Sequence, residues 1–382
     1  MAAIHKIKEC VLTDTTLRDG EQAPGVAFSF DEKIEIARSL ITAGVREIEA
    51  GTIAMGPKEA RTIAAISELN PDCRVSCWCR AKREDLLKAK SYEIKNVHFS
   101  VPVSSIHLNS LGKSEAWAII ELRDLLDEFR DSFDFISVGL QDASRADMEF
   151  VEFIINSANV YGADRVRLAD TVGIWDPVTT YRIIKSLKRK CPDMDLSVHT
   201  HNDLGMATAN AVAAIKAGAA AVDVTVNGLG ERAGNAALEE VVMAMKVSLD
   251  VESGIDTKML KELSGIVEEY SKRDNHISKP IVGSMVYTHE SGIHVHGQLR
   301  DSKSYQPFAP EEVSAKETFV LGKHSGNASI KNSLDQLNIK YKKDDILKLL
   351  ALIKDYSAQK KRNLTVEELR FLTEKVFYEK AV

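Results

Sequence analysis

The sequence predicts an α/β protein: a closed (β/α)8 barrel of the TIM type over residues 1–255, followed by a helical C-terminal extension over residues 256–382. Three observations carry this reading. Through about residue 250 the chain repeats one phrase, a short β-rich run, a polar loop and an amphipathic helical stretch, eight times over. Polar clusters follow many of the runs, as in a barrel, and no G-x-G-x-x-G follows the first one, as an open dinucleotide-binding sheet would require. After about residue 250 the rhythm changes to helical runs around one glycine- and histidine-rich stretch.

In order, the runs are "CVLTDTT", "REIEAGT", "RVSCWC", "NVHFSV", "FISVGL", "RVRLAD", "LSVHTH" and "AVDVTV". Helical stretches such as "DEKIEIARSLITAG" and "MEFVEFIINSANVYG" lie between them, several with readable ends. Ser29 with Glu32 forms a capping-box pattern, Asp176 before Pro177 is an N-cap followed by proline at the first helical position, and Gly44 and Gly162 are C-terminal stops. Past the barrel, "TKMLKELSGIVEEYSKR" is a helix, then "KPIVGSMVYTHESGIHVHGQL" is rich in glycine and histidine. Three more helical runs close the chain, the last opened by a Thr365/Glu368 capping box.

Bulk properties exclude several classes. A net charge of -6 argues against a nucleic-acid or anionic-membrane partner, which recruit basic faces. No apolar run approaches the roughly 20 residues that span a bilayer. The opening "MAAIHKIKEC" lacks the apolar stretch of a secretion signal. Five cysteines, an odd number, do not form a disulfide framework, so a cytoplasmic setting is expected. Cys77 and Cys79 read as packing residues of an alternating strand in preference to metal ligands.

Catalysis in a parallel barrel sits at the C-terminal ends of its strands. Arg18 and Asp19 follow the first run. Taken alone, "RDGE" is a surface turn with a local ion pair. On the seventh run "SVHTHND" sets His199 and His201 two apart, so both side chains point to one side. Two neutral imidazoles and one carboxylate at one mouth make a divalent metal site with positions open to substrate. The loop "NGLGERAGNAALEEVV" carries Gly228, Gly230 and Gly234 for a tight turn, and its Asn235 reads as the cap of the next helix or as a further metal oxygen. A second pair, His294 and His296, reads on its own as a polar loop or as packing histidines, since positions two apart on a helix diverge.

Together "DTTLRDGEQ", "LADTVG", "HTHNDLGMATANA", "GLGERAGNAALEEV", "HESGIHVHG" and "LGKHSG" resemble the signature segments of the acyl-CoA-dependent 2-oxo-acid synthases, the homocitrate, isopropylmalate and citramalate synthases. The resemblance runs in the family's order over residues 10 to 330. "GTIAMG", "WCR" and "HNDLGMATAN" are most similar to the homocitrate synthases associated with nitrogen fixation.

This resemblance implies a barrel with a divalent metal, Mg2+ or Mn2+ with Zn2+ as an alternative, held by Asp19, His199 and His201 with Asn235 as a further or near ligand. It implies that Arg18 polarises the keto oxygen, that Gln22, Trp78 and Thr171 lie at the substrate, and that Glu49 supports them. His294 and Tyr305, eleven positions apart, match the catalytic pair that the extension lends to the neighbouring subunit of a homodimer. The implied reaction is a Claisen-type condensation of acetyl-CoA with a 2-oxo dicarboxylic acid, 2-oxoglutarate giving homocitrate. Oxaloacetate is the rival acid, differing by one methylene. Isopropylmalate and citramalate synthesis come next, and a lyase of the hydroxymethylglutaryl-CoA type would lack the extension.

Two departures from the family stand out. Gln141, in "GLQDASR", replaces a glutamate, and an amide cannot act as a base. Trp78 replaces a histidine near the substrate, which leaves Arg80 and Arg167 as candidate cations for a distal carboxylate. The chain also closes soon after the helical tail, so the β-rich regulatory domain of longer isopropylmalate synthases is expected to be absent. Gln141 alone favours a different class of function, a catalytically silent barrel acting as a subunit or regulator. Intact Arg18, Asp19, His199, His201, His294 and Tyr305 argue for an enzyme.

Overall fold

A computed structural model describes residues 10–378. The part of the N-terminal segment that precedes residue 10, read above as no secretion signal, lies outside the described residues. Two compact units divide the chain, Met1–Asn275 and His276–Val382.

The first unit is a closed barrel of eight parallel strands in sequence order. Its elements are β1 (Val11–Asp14), α1 (Phe30–Thr42), β2 (Glu47–Thr52), α2 (Pro57–Ser67), β3 (Arg74–Arg80), α3 (Arg83–Ser91) and β4 (Asn96–Pro102). A short α4 (Ser105–Ser110) and α5 (Glu115–Phe129) precede β5 (Phe135–Gln141), α6 (Met148–Val160), β6 (Arg165–Asp170), α7 (Pro177–Lys190), β7 (Asp195–Thr200), α8 (Ala207–Ala217), β8 (Ala221–Val224) and α9 (Leu238–Ala244). All eight strands fall on the runs read from sequence. The caps hold as well: Ser29 and Glu32 exchange reciprocal bonds, and Asp176 accepts from the Val178 and Thr179 N–H groups. Gly44 and Gly162 take φ of +99° and +83°, a conformation that costs a side chain strain.

Strand alternation sorts the barrel into an apolar outer face and a polar interior. Val97, Phe99, Val138, Val166, Leu168 and Val198 are fully buried among the hydrophobic residues of the core. The alternate positions carry Thr13, Glu47, Arg165, Glu49, Arg167, His98 and Ser137, also buried. Buried charges of this kind survive only when paired. Glu47 accepts from Arg165 Nη1 at 2.6 Å and from Thr13 at 2.9 Å, and Glu49 accepts from Arg167 Nη1 at 2.8 Å. Cys77 and Cys79 are wholly buried, and among the described residues no third His, Cys, Asp or Glu joins them in a metal cluster.

The first unit continues past the expected boundary at residue 255. Helix α10 (Leu260–Ser271) packs on α1, with Tyr270 Oη donating to Glu35 at 2.6 Å, and Ser264 O accepts from Asn227 beside the β8 loop at 2.9 Å. These contacts tie α10 to the barrel.

The second unit holds α11 (Gly292–Gln298), α12 (Asn327–Gln336), α13 (Lys343–Lys360) and α14 (Val366–Tyr378). Ile330, Leu334, Ile346, Leu349, Ile353, Leu369 and Leu372 form the core of the last three helices. Thr365 and Glu368 exchange the two bonds of their capping box, at 2.9 and 3.2 Å. A small parallel pair, β9 (Thr288–His289) with β10 (Thr318–Phe319), adds strand structure that the helical reading did not include.

Candidate active site at the barrel mouth

After β1 the chain turns sharply. The N–H groups of Arg18, Asp19 and Gly20 all donate to Thr15 O, at 3.1, 2.8 and 3.0 Å. This tight turn swings "RDG" over the strand ends. Arg18 Nη1 lies 2.5 Å from Asp19 Oδ1, and its Nε donates to Glu49 on β2. Burial alone would push both carboxyls up. The Arg18 guanidinium holds Asp19 well below the usual carboxylate range, and Arg167 with Arg18 does the same for Glu49. Glu49 is therefore an ionised clamp between two guanidiniums, unsuited to taking up a proton.

His199 and His201 stand at the end of β7 and beyond it. His199 Nδ1 is 2.9 Å from Asp223 Oδ2, and His201 Nδ1 is 3.1 Å from Asp170 O. A carboxylate and a carbonyl only accept, so each Nδ1 carries the proton and each Nε2 presents a lone pair. The two Nε2 atoms face each other at 3.4 Å, and each lies within 3.8 Å of Asp19 Oδ2. Three acceptors converge with no proton between them. Such a cluster repels itself unless a cation stands at its centre, so the residues fit a divalent metal.

Asn235 completes the rim. Its Nδ2 donates to Asp19 Oδ2 at 2.8 Å and to Leu229 O at 2.9 Å, while its buried Oδ1 has no partner. The unpartnered oxygen is free to face a cation. Asn235 does not cap α9, whose N-cap is Ala237; a β-bridge to His201 pins the asparagine at the mouth instead. Gly234 makes this possible, because at φ +85° a Cβ would lie 2.0 Å from Gly228 O.

Arg18, Asp19, Gln22, Trp78, Thr171, His199 and His201 surround one cavity of about 250 Å³. Glu49 and Asn235 sit immediately behind, bonded to residues of its wall. The Thr171 hydroxyl accepts from Asp142 N at 2.9 Å, which fixes its rotamer. Gln141 lines the same cavity. Arg167 also faces it, whereas Arg80 is held by Asp85 at 2.8 and 2.9 Å. His294 and Tyr305 belong to the second unit, where their exposed rings stack with centroids 4.2 Å apart.

Sequence reasoning missed three residues here. Asp223 orients His199 and lies 3.0 Å from Arg167 Nε. His98 lines the cavity between Ser137 and Ser100, at 2.9 and 3.0 Å, and burial together with Arg167 keeps its imidazole neutral. Arg232 bridges Asp203 at 2.8 Å and Thr171 O at 2.9 Å. The signal for the first two was a polar residue on the inward phase of an otherwise apolar strand, "AVDVTV" and "NVHFSV".

Comparison with known proteins places this geometry among relatives. Residues 9–267 match the HMGL-like family model, and residues 281–361 match the model described as homocitrate synthase post-HMGL domain-like. The chain is 45% identical over 377 residues to homocitrate synthase 1 of Nostoc sp., covering 98% of this chain and 100% of that one. It is 42% identical to 2-isopropylmalate synthase 2 of Caldanaerobacter subterraneus, covering 98% and 97%. Among solved structures, hydroxymethylglutaryl-CoA lyase from Pseudomonas aeruginosa shares the fold, with a TM-score of 0.63 at 21% identity, over 70% of this chain and 95% of that one.

Proposed function

Because the chain belongs to the HMGL-like family and carries a homocitrate synthase-type domain after its barrel, we propose that the cavity at the barrel mouth is where acetyl-CoA condenses with 2-oxoglutarate. The protein is a condensing enzyme of the acyltransferase type: the new C–C bond leaves a homocitryl thioester, and water cleaves its C–S bond to give homocitrate and CoA. The nearly full-length likeness to a homocitrate synthase carries the reaction; the convergence of Asp19, His199 and His201 beside Arg18 supports its location.

A bound divalent cation, Mg2+ or Mn2+, supplies Lewis-acid polarisation of the keto carbonyl. The chain's own residues do the rest. Arg18, kept charged by Glu49 and Asp19, faces the cavity and stabilises the alkoxide that develops when the ketone is attacked. Gln22 and Thr171 bind the acid's polar groups, and Trp78 closes one wall. Asp223 and the Asp170 carbonyl hold each histidine in the tautomer whose Nε2 is free. His294, assisted by Tyr305, removes the methyl proton of acetyl-CoA. Gln141 leaves no carboxylate at its position to share that task.

The exposed, stacked His294–Tyr305 pair suits service to a neighbouring barrel, so we assign a homodimer with shared sites. The five free, buried cysteines suit a reducing cytoplasm. The segments "GTIAMG" and "HNDLGMATAN" support a nitrogen-fixation type.

One tube containing purified protein, acetyl-CoA, Mn2+ and equal amounts of 2-oxoglutarate, oxaloacetate, pyruvate and 2-oxoisovalerate tests this reading. Homocitrate should dominate the product masses. Predominance of citrate would change the substrate, and no product with free CoA unreleased would favour the silent-barrel alternative.

A further inference from the structure

In the second unit the His294–Tyr305 pair stands on a polar network that the condensation reading leaves unused. His289 on β9 lies beside the pair, its ring edge-on to that of His294 with centroids 6.5 Å apart. Parallel pairing of β9 with β10 sets His289 opposite Phe319, which brings Glu317, just before β10, close to it. His289 Nε2 lies 3.5 Å from Glu317 Oε1, and the same oxygen accepts from Gln306 Nε2 at 2.9 Å. Gln306 follows Tyr305 in the chain. One carboxylate therefore reaches both members of the pair, His294 through His289 and Tyr305 through Gln306.

The charges in this network point one way. A carboxylate only accepts, so a neutral His289 carries its proton on Nε2. Gln298 Nε2 also lies 3.5 Å from that nitrogen, while its buried Oε1 has no partner. A half-turn of the amide offers that oxygen to the His289 N–H and leaves no buried acceptor unmet. Burial lowers His289, and charge on His294 adds to this, so His289 stays neutral and leaves the Glu317 charge uncancelled. Burial raises the Glu317 carboxyl, as does Glu311 on the turn Pro310–Val313, and Gln306 opposes both. An anion held without a cation favours a positive charge that arrives nearby. His294 brings one when it takes the methyl proton, and the amide of Gln141 cannot supply the counter-charge.

We propose that Glu317 and His289 are positioning residues for proton removal, holding His294 and Tyr305 in place and supplying the negative charge that stabilises the His294 cation. This rests on the condensation reading above and adds to it the origin of the base's strength. A base oriented by a third group is a recurring arrangement. Here the orienting acid lies on the extension itself, so the pair carries its own carboxylate to whichever barrel it serves.

The test uses full-length, Mn2+-loaded protein. It reads kcat for CoA release between about pH 5.5 and 8.5, KM for acetyl-CoA and 2-oxoglutarate, and the isotope effect of methyl-deuterated acetyl-CoA. Glu317→Gln keeps an acceptor for Gln306 and removes the charge. It should lower kcat about tenfold, with each KM shifted less than about twofold. The acid limb of kcat should move about half a unit to lower pH, because the cation loses its counter-charge, and the isotope effect should rise. His289→Gln keeps an N–H toward Glu317 and should show the same pattern with a smaller loss. Circular dichroism checks both folds, and if Glu317→Gln does not fold, His289→Gln decides alone. A kcat within twofold of wild type in the folded variants overturns the proposal. So does a lowered kcat in which neither the acid limb nor the isotope effect moves, which makes the network a scaffold for α11 and nothing more. Wild type that condenses no 2-oxo acid removes the condensation reading itself, and the proposal with it.

Discussion

Asp223→Asn probes whether the histidines are built to bind a cation. In the structure Asp223 is buried, its Oδ2 2.9 Å from His199 Nδ1 and 3.0 Å from Arg167 Nε. The substitution keeps size and one acceptor but removes the charge. Oδ2 already serves both His199 and Arg167 while Oδ1 has no partner, so an amide oxygen in the place of Oδ2 keeps both contacts and the negative charge alone is lost. His199 then loses part of the basicity of Nε2. Losing such a partner costs metal affinity about 10–100-fold, or about 1.4–2.7 kcal/mol. Arg167 keeps Glu49, so the barrel should stay folded. The assay is Mn2+ titration of chelator-treated protein by electron paramagnetic resonance, with circular dichroism as the control for fold. Turnover should recover at saturating Mn2+. A variant that binds Mn2+ within twofold of wild type would show that Asp223 does not organise His199 for a metal.

Three further outcomes are expected. His201→Ala should abolish CoA release while the circular dichroism spectrum is retained, because the site loses a donor; full turnover would end the metal assignment. Asp19→Ala and His294→Ala chains, each inactive alone, should regain part of the activity when mixed under conditions of subunit exchange, and proven exchange without recovery would exclude a shared site. Burial pushes the Asp14 carboxyl up to about 7 against the Thr16 bonds that lower it, from 3.8 in its unperturbed state. The folded protein therefore binds this proton more tightly than the unfolded chain, and stability is lost as pH rises from about 4 toward 7 and beyond. Between pH 5 and pH 8 wild type should lose about 2–3 kcal/mol relative to Asp14→Asn in urea unfolding; parallel stability curves would contradict this.

Much of the fold was legible because the barrel's outer face is an uninterrupted apolar phase. Every strand from "CVLTDTT" to "AVDVTV" alternates strongly enough to be found alone. The grouping of Asp19, His199 and His201 was legible for the same reason: strand period 2 puts His199 and His201 on one face, and a strand end puts Asp19 nearby. Asp223, His98 and Arg232 were not, since each acts through a partner distant in sequence that only closure of the barrel supplies. Asn235 shows the limit of local reading. Its place before a helix resembles a cap, yet the bridge to His201 and the bond to Asp19 override that preference. The Arg80 and Arg167 alternatives, two arginines on different strands, needed the tertiary fold. Arg80 belongs to Asp85, and Arg167 faces the cavity between two acids.

The most direct test of the central claim is CoA release from acetyl-CoA with 2-oxoglutarate by chelator-treated protein, before and after Mn2+ is restored, with the product identified by mass. The account predicts no release without the cation and homocitrate formation once it returns. Equal release in both conditions, or a restored protein that binds Mn2+ and makes no homocitrate, would contradict it.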